Sequence, residues 1–235
     1  MTSTMICGIG LGPGDPELVT IKAVRAMERA DMVVVPQSNV TGRSIAADIV
    51  AHYVPAEKIH MYHFPMTGNK ADLDLRYGAL AADMLQWVCA GKRICYVTIG
   101  DTPVYSTFNY LRDKLREQGV ATEMVPGISA FSAAANARSL PLCEKGGSFC
   151  VIEMPESAAE LSALLTRFSS VVLMKVHKRL PALCEFVRRA DLAQARLFQR
   201  ISLADEQVYD LLTQTPPESA GYLSTAILQG QPKES

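Results

Sequence analysis

The stretch that decides the fold is Gly8-Ile9-Gly10-Leu11-Gly12-Pro13-Gly14-Asp15-Pro16-Glu17. It leaves an apolar, strand-like run, Met5–Leu11, and enters a helix start. Asp15 reads as an N-cap, Pro16 as the first helical residue and Glu17 as an acid in the first turn. Glycines at such a place let the backbone turn tightly and approach a ligand without interference from a Cβ. The dinucleotide fingerprint GxGxxG does not fit. Counted from Gly8, its third glycine falls on Pro13; counted from Gly10, it falls on Asp15, whose charge would repel a pyrophosphate. No Lys-Ser or Lys-Thr pair follows, so a phosphate-cradling P-loop is excluded as well. What remains is a strand–loop–helix turn suited to a ligand other than a phosphate.

Outward from this turn, short β-rich runs alternate with amphipathic stretches, the pattern of an α/β fold. Strands are predicted at Met5–Leu11, Met32–Val35, Ile94–Ile99, Ala121–Val125, Phe149–Met154, Val171–Val176, Leu197–Leu203 and Tyr222–Leu228. Most are nearly continuous apolar runs, which points to strands covered on both faces. Helical stripes are predicted for Leu18, Ile21, Val24 and Met27, and for Leu73, Tyr77, Leu80, Met84 and Trp87 before Gly91. Phe108, Leu111 and Leu115 form a third stripe ended by Gly119. The turn dipeptide Pro126-Gly127 precedes a small-residue helix, Ile128–Ala137, and marks a seam between domains at 1–125 and 126–235.

Composition narrows the function. Of 235 residues 49% are hydrophobic, enough for a full core, and 20% are charged, which fits a compact enzyme. The 23 Lys+Arg against 24 Asp+Glu leave a net charge of −1, and a nucleic-acid partner would call for a basic excess. No apolar run reaches the roughly 18–20 residues of a membrane span, and Met1–Leu11 lacks the basic start of a secretory signal. The six cysteines form no CxxC pair, the pattern of reduced thiols in a cytoplasmic protein. The four histidines show no HExxH or similar spacing, so no protein-bound metal is expected.

Two further motifs stand at predicted strand ends, where open α/β sheets collect ligands. Thr98-Ile-Gly-Asp-Thr-Pro-Val-Tyr-Ser-Thr107 holds Gly100 for close backbone approach and Asp101 as a carboxylate acceptor. Its Ser106 and Thr107 are placed either to cap the next helix or to bond a ligand. Val125-Pro-Gly-Ile-Ser-Ala130 offers Ser129, again as a cap or as a ligand contact.

The ordered set GxGPGDPELxTxKA (within Gly8–Ala23), Gly100-Asp101 and PGISA (Pro126–Ala130) resembles the tetrapyrrole (corrin/porphyrin) methyltransferase family along essentially the whole chain. Phe64-Pro-Met-Thr67 and Tyr105-Ser-Thr-Phe-x-Tyr110 resemble the branch acting on carbon 20 of precorrin-2 or cobalt-precorrin-2. In that branch the turn reads GDPxxYST, whereas this chain carries Thr102 and then Pro103. The resemblance implies two α/β domains of the class III methyltransferase type, with a cofactor cleft between them. It implies S-adenosyl-L-methionine as cofactor, a tetrapyrrole as small-molecule substrate, and a homodimer. Matched by motif, the cofactor contacts are Pro13, Gly100, Asp101, Val104, Ser129 and Ala130, with Met174 and Thr225 at weaker positions. Tyr105, Ser106 and Arg43 are the substrate candidates, and Lys70, Lys175, Lys178 and Arg179 could meet its carboxylates. No catalytic base is identified, with His63 and Tyr105 both open.

Overall fold

The computed structural model describes residues 5–37, 44–64 and 69–231, apart from the side chains of Lys70 and Lys178. The chain divides into two units, Met1–Ser129 and Ala130–Ser235.

The first unit holds β1 (Ile6–Gly10), α1 (Ile21–Arg29), β2 (Met32–Gln37), α2 (Ile45–Ala51), β3 (Ile59–His63), α3 (Lys70–Cys89), β4 (Ile94–Thr98), α4 (Thr107–Glu117) and β5 (Thr122–Val125). Its sheet runs β3-β2-β4-β1-β5, with every pairing parallel. Alternation along the strands assigns the faces. Cys7, Ile9, Val33, Val35, Cys95 and Val97 pack with Ala23 and Met27 of α1 and Ile49 and Val50 of α2. Ile6, Val34, Ile94 and Tyr96 pack on the opposite side with Tyr77, Leu80 and Met84 of α3 and Phe108, Leu111 and Leu115 of α4. Both faces are covered, which is why these strands read as unbroken apolar runs. Cys7 stands beside Cys95 across the β1/β4 ladder; the hydrogen bond to that neighbour and burial push its thiol well up. All six cysteines are free.

The second unit holds α5 (Ala130–Ala137), β6 (Phe149–Glu153), α6 (Ala158–Arg167), β7 (Ser170–Met174), α7 (Leu180–Arg189), β8 (Leu192–Gln199), β9 (Gln207–Asp210) and β10 (Ser224–Gly230). Its sheet is mixed, in the order β6-β7-β10-β8-β9: β6 and β7 are parallel and the remaining pairs antiparallel. Val171, Leu173, Leu197, Ala226 and Leu228 face α6 and α7. Val172, Phe198 and Ile227 face Ala134 and Ala135 of α5.

Several boundaries differ from the sequence reading. Asp15 caps only a single 3-10 turn, Pro16–Leu18, its carboxylate accepting from the Glu17 amide at 2.9 Å. The α-helix starts later, because the Thr20 hydroxyl makes a second cap by accepting from the Ala23 amide at 3.2 Å. The shift rotates the stripe: Ile21 is 70% exposed, and Val19, Ala23 and Met27 take the buried positions. The helix placed at Ile128 begins at Ala130. The strand placed at Leu197–Leu203 instead spans Leu192–Gln199, since Arg200 and Ser202 adopt left-handed φ of 52° and 63° and end it in a turn. Strands β3 and β9 are additional to the strands predicted from sequence.

Two consequences can be measured. A Cβ on Gly8 would enter the Phe108 ring, whose Cζ stands 2.5 Å away. Gly8→Ala is therefore expected to cost about 1–3 kcal/mol by overpacking, read as a lower urea midpoint with unchanged slope. Separately, burial and then the neighbouring Tyr110 push the Tyr77 phenol up to about 12. A raised phenol favours the fold below its ordinary value of about 10 and loses that contribution as pH rises towards 12. Tyr77→Phe is expected to remove part of the alkaline loss of stability, followed by thermal unfolding between those limits.

Candidate functional site

Because the first sheet is wholly parallel, the carboxyl ends of β1, β4 and β5 lie at one edge, and each continues into one of the glycine motifs. The Gly12 amide donates to the Gly100 carbonyl at 3.1 Å, and the Gly100 amide donates back to Gly12 at 2.7 Å. Below this pair the Leu11 amide donates to Thr98 at 2.9 Å. The third loop closes on the other two. A Cβ on Gly10 would lie 2.6 Å from the Gly127 nitrogen and 2.7 Å from the Gly100 carbonyl oxygen. One on Gly127 would lie 2.7 Å from the Gly10 carbonyl carbon and would also strike the Gly100 oxygen. Three main chains meet here with no volume left for a side chain.

Asp101 fastens the junction. Its Oδ1 accepts from the Thr102 amide at 2.9 Å and from the Gly127 amide at 3.0 Å, tying the second loop to the third. The residue offered by sequence as a ligand acceptor thus has a structural duty. Thr102 is 1% exposed, and its amide is one that proline in that place could not supply. The Thr20 hydroxyl donates to the Pro126 carbonyl at 3.2 Å, and Tyr53 donates to the Pro16 carbonyl at 2.6 Å, fixing the loops from the α1 and α2 side.

Above the junction the surface opens. Gly100 has φ +79°, and a Cβ there would meet nothing within 4 Å. Tyr105 is also left-handed, at φ 49°, and is 42% exposed. An aromatic residue in that conformation carries strain of the kind that collects at functional sites. Ser106 performs its capping role, its hydroxyl accepting from the Phe108 amide at 3.0 Å, and is buried. Pro13 is buried in its loop, while Asp101, Val104 and Ser129 are half-buried. In the second unit, Met174 and Thr225 are direct partners across the β7/β10 ladder, and Ala130 and Met174 each pack against the buried cluster of Ala134, Val172, Phe198 and Ile227. Arg43 lies outside the described residues, as do Pro65, Met66 and Thr67 of the Phe64 motif.

His63 ends β3 at the same sheet edge, and its Nδ1 is buried with no hydrogen-bond partner among the described residues. Gly10 and Gly127, the residues that make the junction possible, were read from sequence only as parts of turns. The Pro-Gly pair was the available signal, but not what it packs against.

Residues 5–216 match the model of the Tetrapyrrole (Corrin/Porphyrin) Methylases. A probable cobalt-precorrin-2 C(20)-methyltransferase of Methanocaldococcus jannaschii is 31% identical over 226 residues, covering 95% of each chain. The cobalt-precorrin-2 C(20)-methyltransferase of Salmonella typhimurium is 29% identical over 228 residues, again 95% of each. Among solved structures, the uroporphyrin-III C-methyltransferase of Thermus thermophilus complexed with S-adenosyl homocysteine superposes with a TM-score of 0.66. That match has 21% identity and covers 97% of both chains.

The junction makes a direct prediction. Asp101→Ala leaves two loop amides without their acceptor and is expected to cost about 2–4 kcal/mol, whereas Asp101→Asn, which keeps an oxygen, costs about 1 kcal/mol. Urea unfolding of both variants checks the ordering; equal losses would remove Asp101 from the role given to it.

Proposed function

The chain belongs to the tetrapyrrole (corrin/porphyrin) methylases, and from that premise we propose that it transfers a methyl group from S-adenosyl-L-methionine to carbon 20 of precorrin-2 or cobalt-precorrin-2. The observation that carries this reading is the full-length match to two relatives named for that reaction, at 31% and 29% identity. The reaction belongs to the building of the corrin ring of cobalamin.

The geometry fits the cofactor. A molecule rich in hydrogen-bonding groups but without phosphate is suited by open main chain, and Gly100 offers it with no atom within 4 Å of its missing side chain. Matched by motif, we assign its contacts to Pro13, Gly100, Asp101, Val104, Ser129, Ala130, Met174 and Thr225. When bound, the cofactor supplies a methyl group already electrophilic on its sulfonium. The chain's own contribution is then to hold and align the two reactants, and well-placed orientation alone can lower a barrier by about 7–11 kcal/mol. The rigid Gly10–Gly100–Gly127 junction, stapled by Asp101, holds the Gly100–Val104 turn to that purpose. Tyr105, exposed and strained beside this turn, is the described candidate for contact with the substrate. The proposal extends to a cytoplasmic, two-fold homodimer, the commonest oligomer.

Turnover with purified protein, methyl-labelled cofactor and precorrin-2, with and without cobalt, tests the assignment by mass spectrometry. One added methyl per ring is expected from at least one substrate. Cofactor binding without methylation of either ring would contradict it.

A further inference from the structure

The substrate named above carries several carboxylates, so a neutral protein must meet them with local positive charge. Among the cations the sequence offers for this, Arg179 is engaged: its guanidinium donates to the Met154 carbonyl and pairs with Glu156 at 2.6 Å. Nearby Arg200 is held by Asp205 at 2.7 Å. Lys175 differs. It is exposed and makes no ion pair among the described residues.

Its backbone is also unusual. Lys175 has φ 57°, a left-handed conformation that glycine adopts without strain and a lysine does not. The strained residue directly follows Met174, whose ladder partner is Thr225. The His177 and Tyr222 rings meet edge to face, with centroids 5.9 Å apart at 73°. This pair is fixed from beneath: a Cβ on Gly221 would lie 2.7 Å from the His177 carbonyl oxygen, and the Ser224 hydroxyl donates to the Gly221 carbonyl at 2.6 Å. Tyr222 is nevertheless 50% exposed, and the next residue, Leu223, is left-handed at φ 50° and 43% exposed. Lys175, exposed, strained in its backbone and without an ion pair among the described residues, thus precedes by two residues the His177 ring that meets the exposed Tyr222.

We infer that Lys175, together with the His177–Tyr222 pair, forms a subsite for the tetrapyrrole, the ammonium meeting a ring carboxylate and the exposed Tyr222 ring meeting an apolar portion of the macrocycle. This rests on the functional reading above and deepens it by naming a specificity residue outside the glycine loops. The strain at Lys175 gives the inference a sharp signature, because glycine at this position should improve the fold while impairing the substrate site.

The test is calorimetric titration of precorrin-2 into the S-adenosylhomocysteine-loaded protein, comparing wild type with Lys175→Gly, Lys175→Arg and Tyr222→Ala. Lys175→Gly is expected to weaken precorrin-2 binding about 5-fold, as for loss of one partly exposed ion pair, and to flatten its salt dependence. Its melting temperature should equal or exceed that of wild type, and its affinity for S-adenosylhomocysteine should not change. Lys175→Arg should retain binding within about 2-fold, and Tyr222→Ala should weaken it. Wild-type precorrin-2 affinity in Lys175→Gly would overturn the inference while leaving the methyltransferase reading intact. A wild-type protein that neither binds nor methylates precorrin-2 would overturn both.

Discussion

The close approach of three main chains at Gly10, Gly100 and Gly127 is the constraint on which the first unit is organised. No Cβ fits at Gly10 or Gly127, so the three loops leaving β1, β4 and β5 can touch only if glycine stands at both positions. Each glycine costs about 0.5–1 kcal/mol of chain entropy relative to alanine. The cost is offset by the paired Gly12–Gly100 hydrogen bonds and by Asp101, whose single carboxylate oxygen serves two amides. Charge-assisted bonds of this kind are among the stronger ones, and the half-buried setting limits competition from water. The result is a stiff floor, above which Gly100 presents bare backbone.

That arrangement suits a reaction in which the reagents bring the reactivity. A sulfonium methyl needs no activation, and the ring carbon that receives it is electron-rich. Stiffness then matters more than acid–base strength, since misplacement by about 1 Å can cost a hundredfold in rate. The Thr102 position shows how finely the turn is built. The branch this chain resembles carries proline there, while here a buried threonine supplies an amide to Asp101 and brings its hydroxyl to 3.5 Å from the Val125 carbonyl. The net charge of −1 is compatible with a small polyanionic substrate, because the field in a cleft is set by the charges that line it and not by the net charge alone.

Much of this was legible from sequence because burial writes itself into strands. Val33, Val34 and Val35, or Ile94 to Val97, are apolar at every position since helices cover both faces of their sheet. The glycine motifs were readable as strand-end loops for the same reason. Their meeting was not, as nothing local in Pro126-Gly127 says which backbone it approaches. Strand β3, Ile59-His-Met-Tyr-His63, lacks an apolar run because it lies at the sheet edge and two of its five residues are histidines. The four-residue β9 is likewise an edge strand. The start of α1 was misplaced because Asp15 and Thr20 are both good caps, and only the packing of Val19, Ala23 and Met27 selects between them. Among the site residues, the two readings of Ser106 were separated only by the hydrogen bond to Phe108, and the strain at Tyr105 and Lys175 has no counterpart in composition or spacing.

The most direct measurement is nuclear magnetic resonance of the product formed from precorrin-2 and cofactor bearing an isotopically labelled methyl group. A single enriched methyl resonance coupled to carbon 20 of the ring is expected. An enriched methyl on any other ring carbon would contradict it.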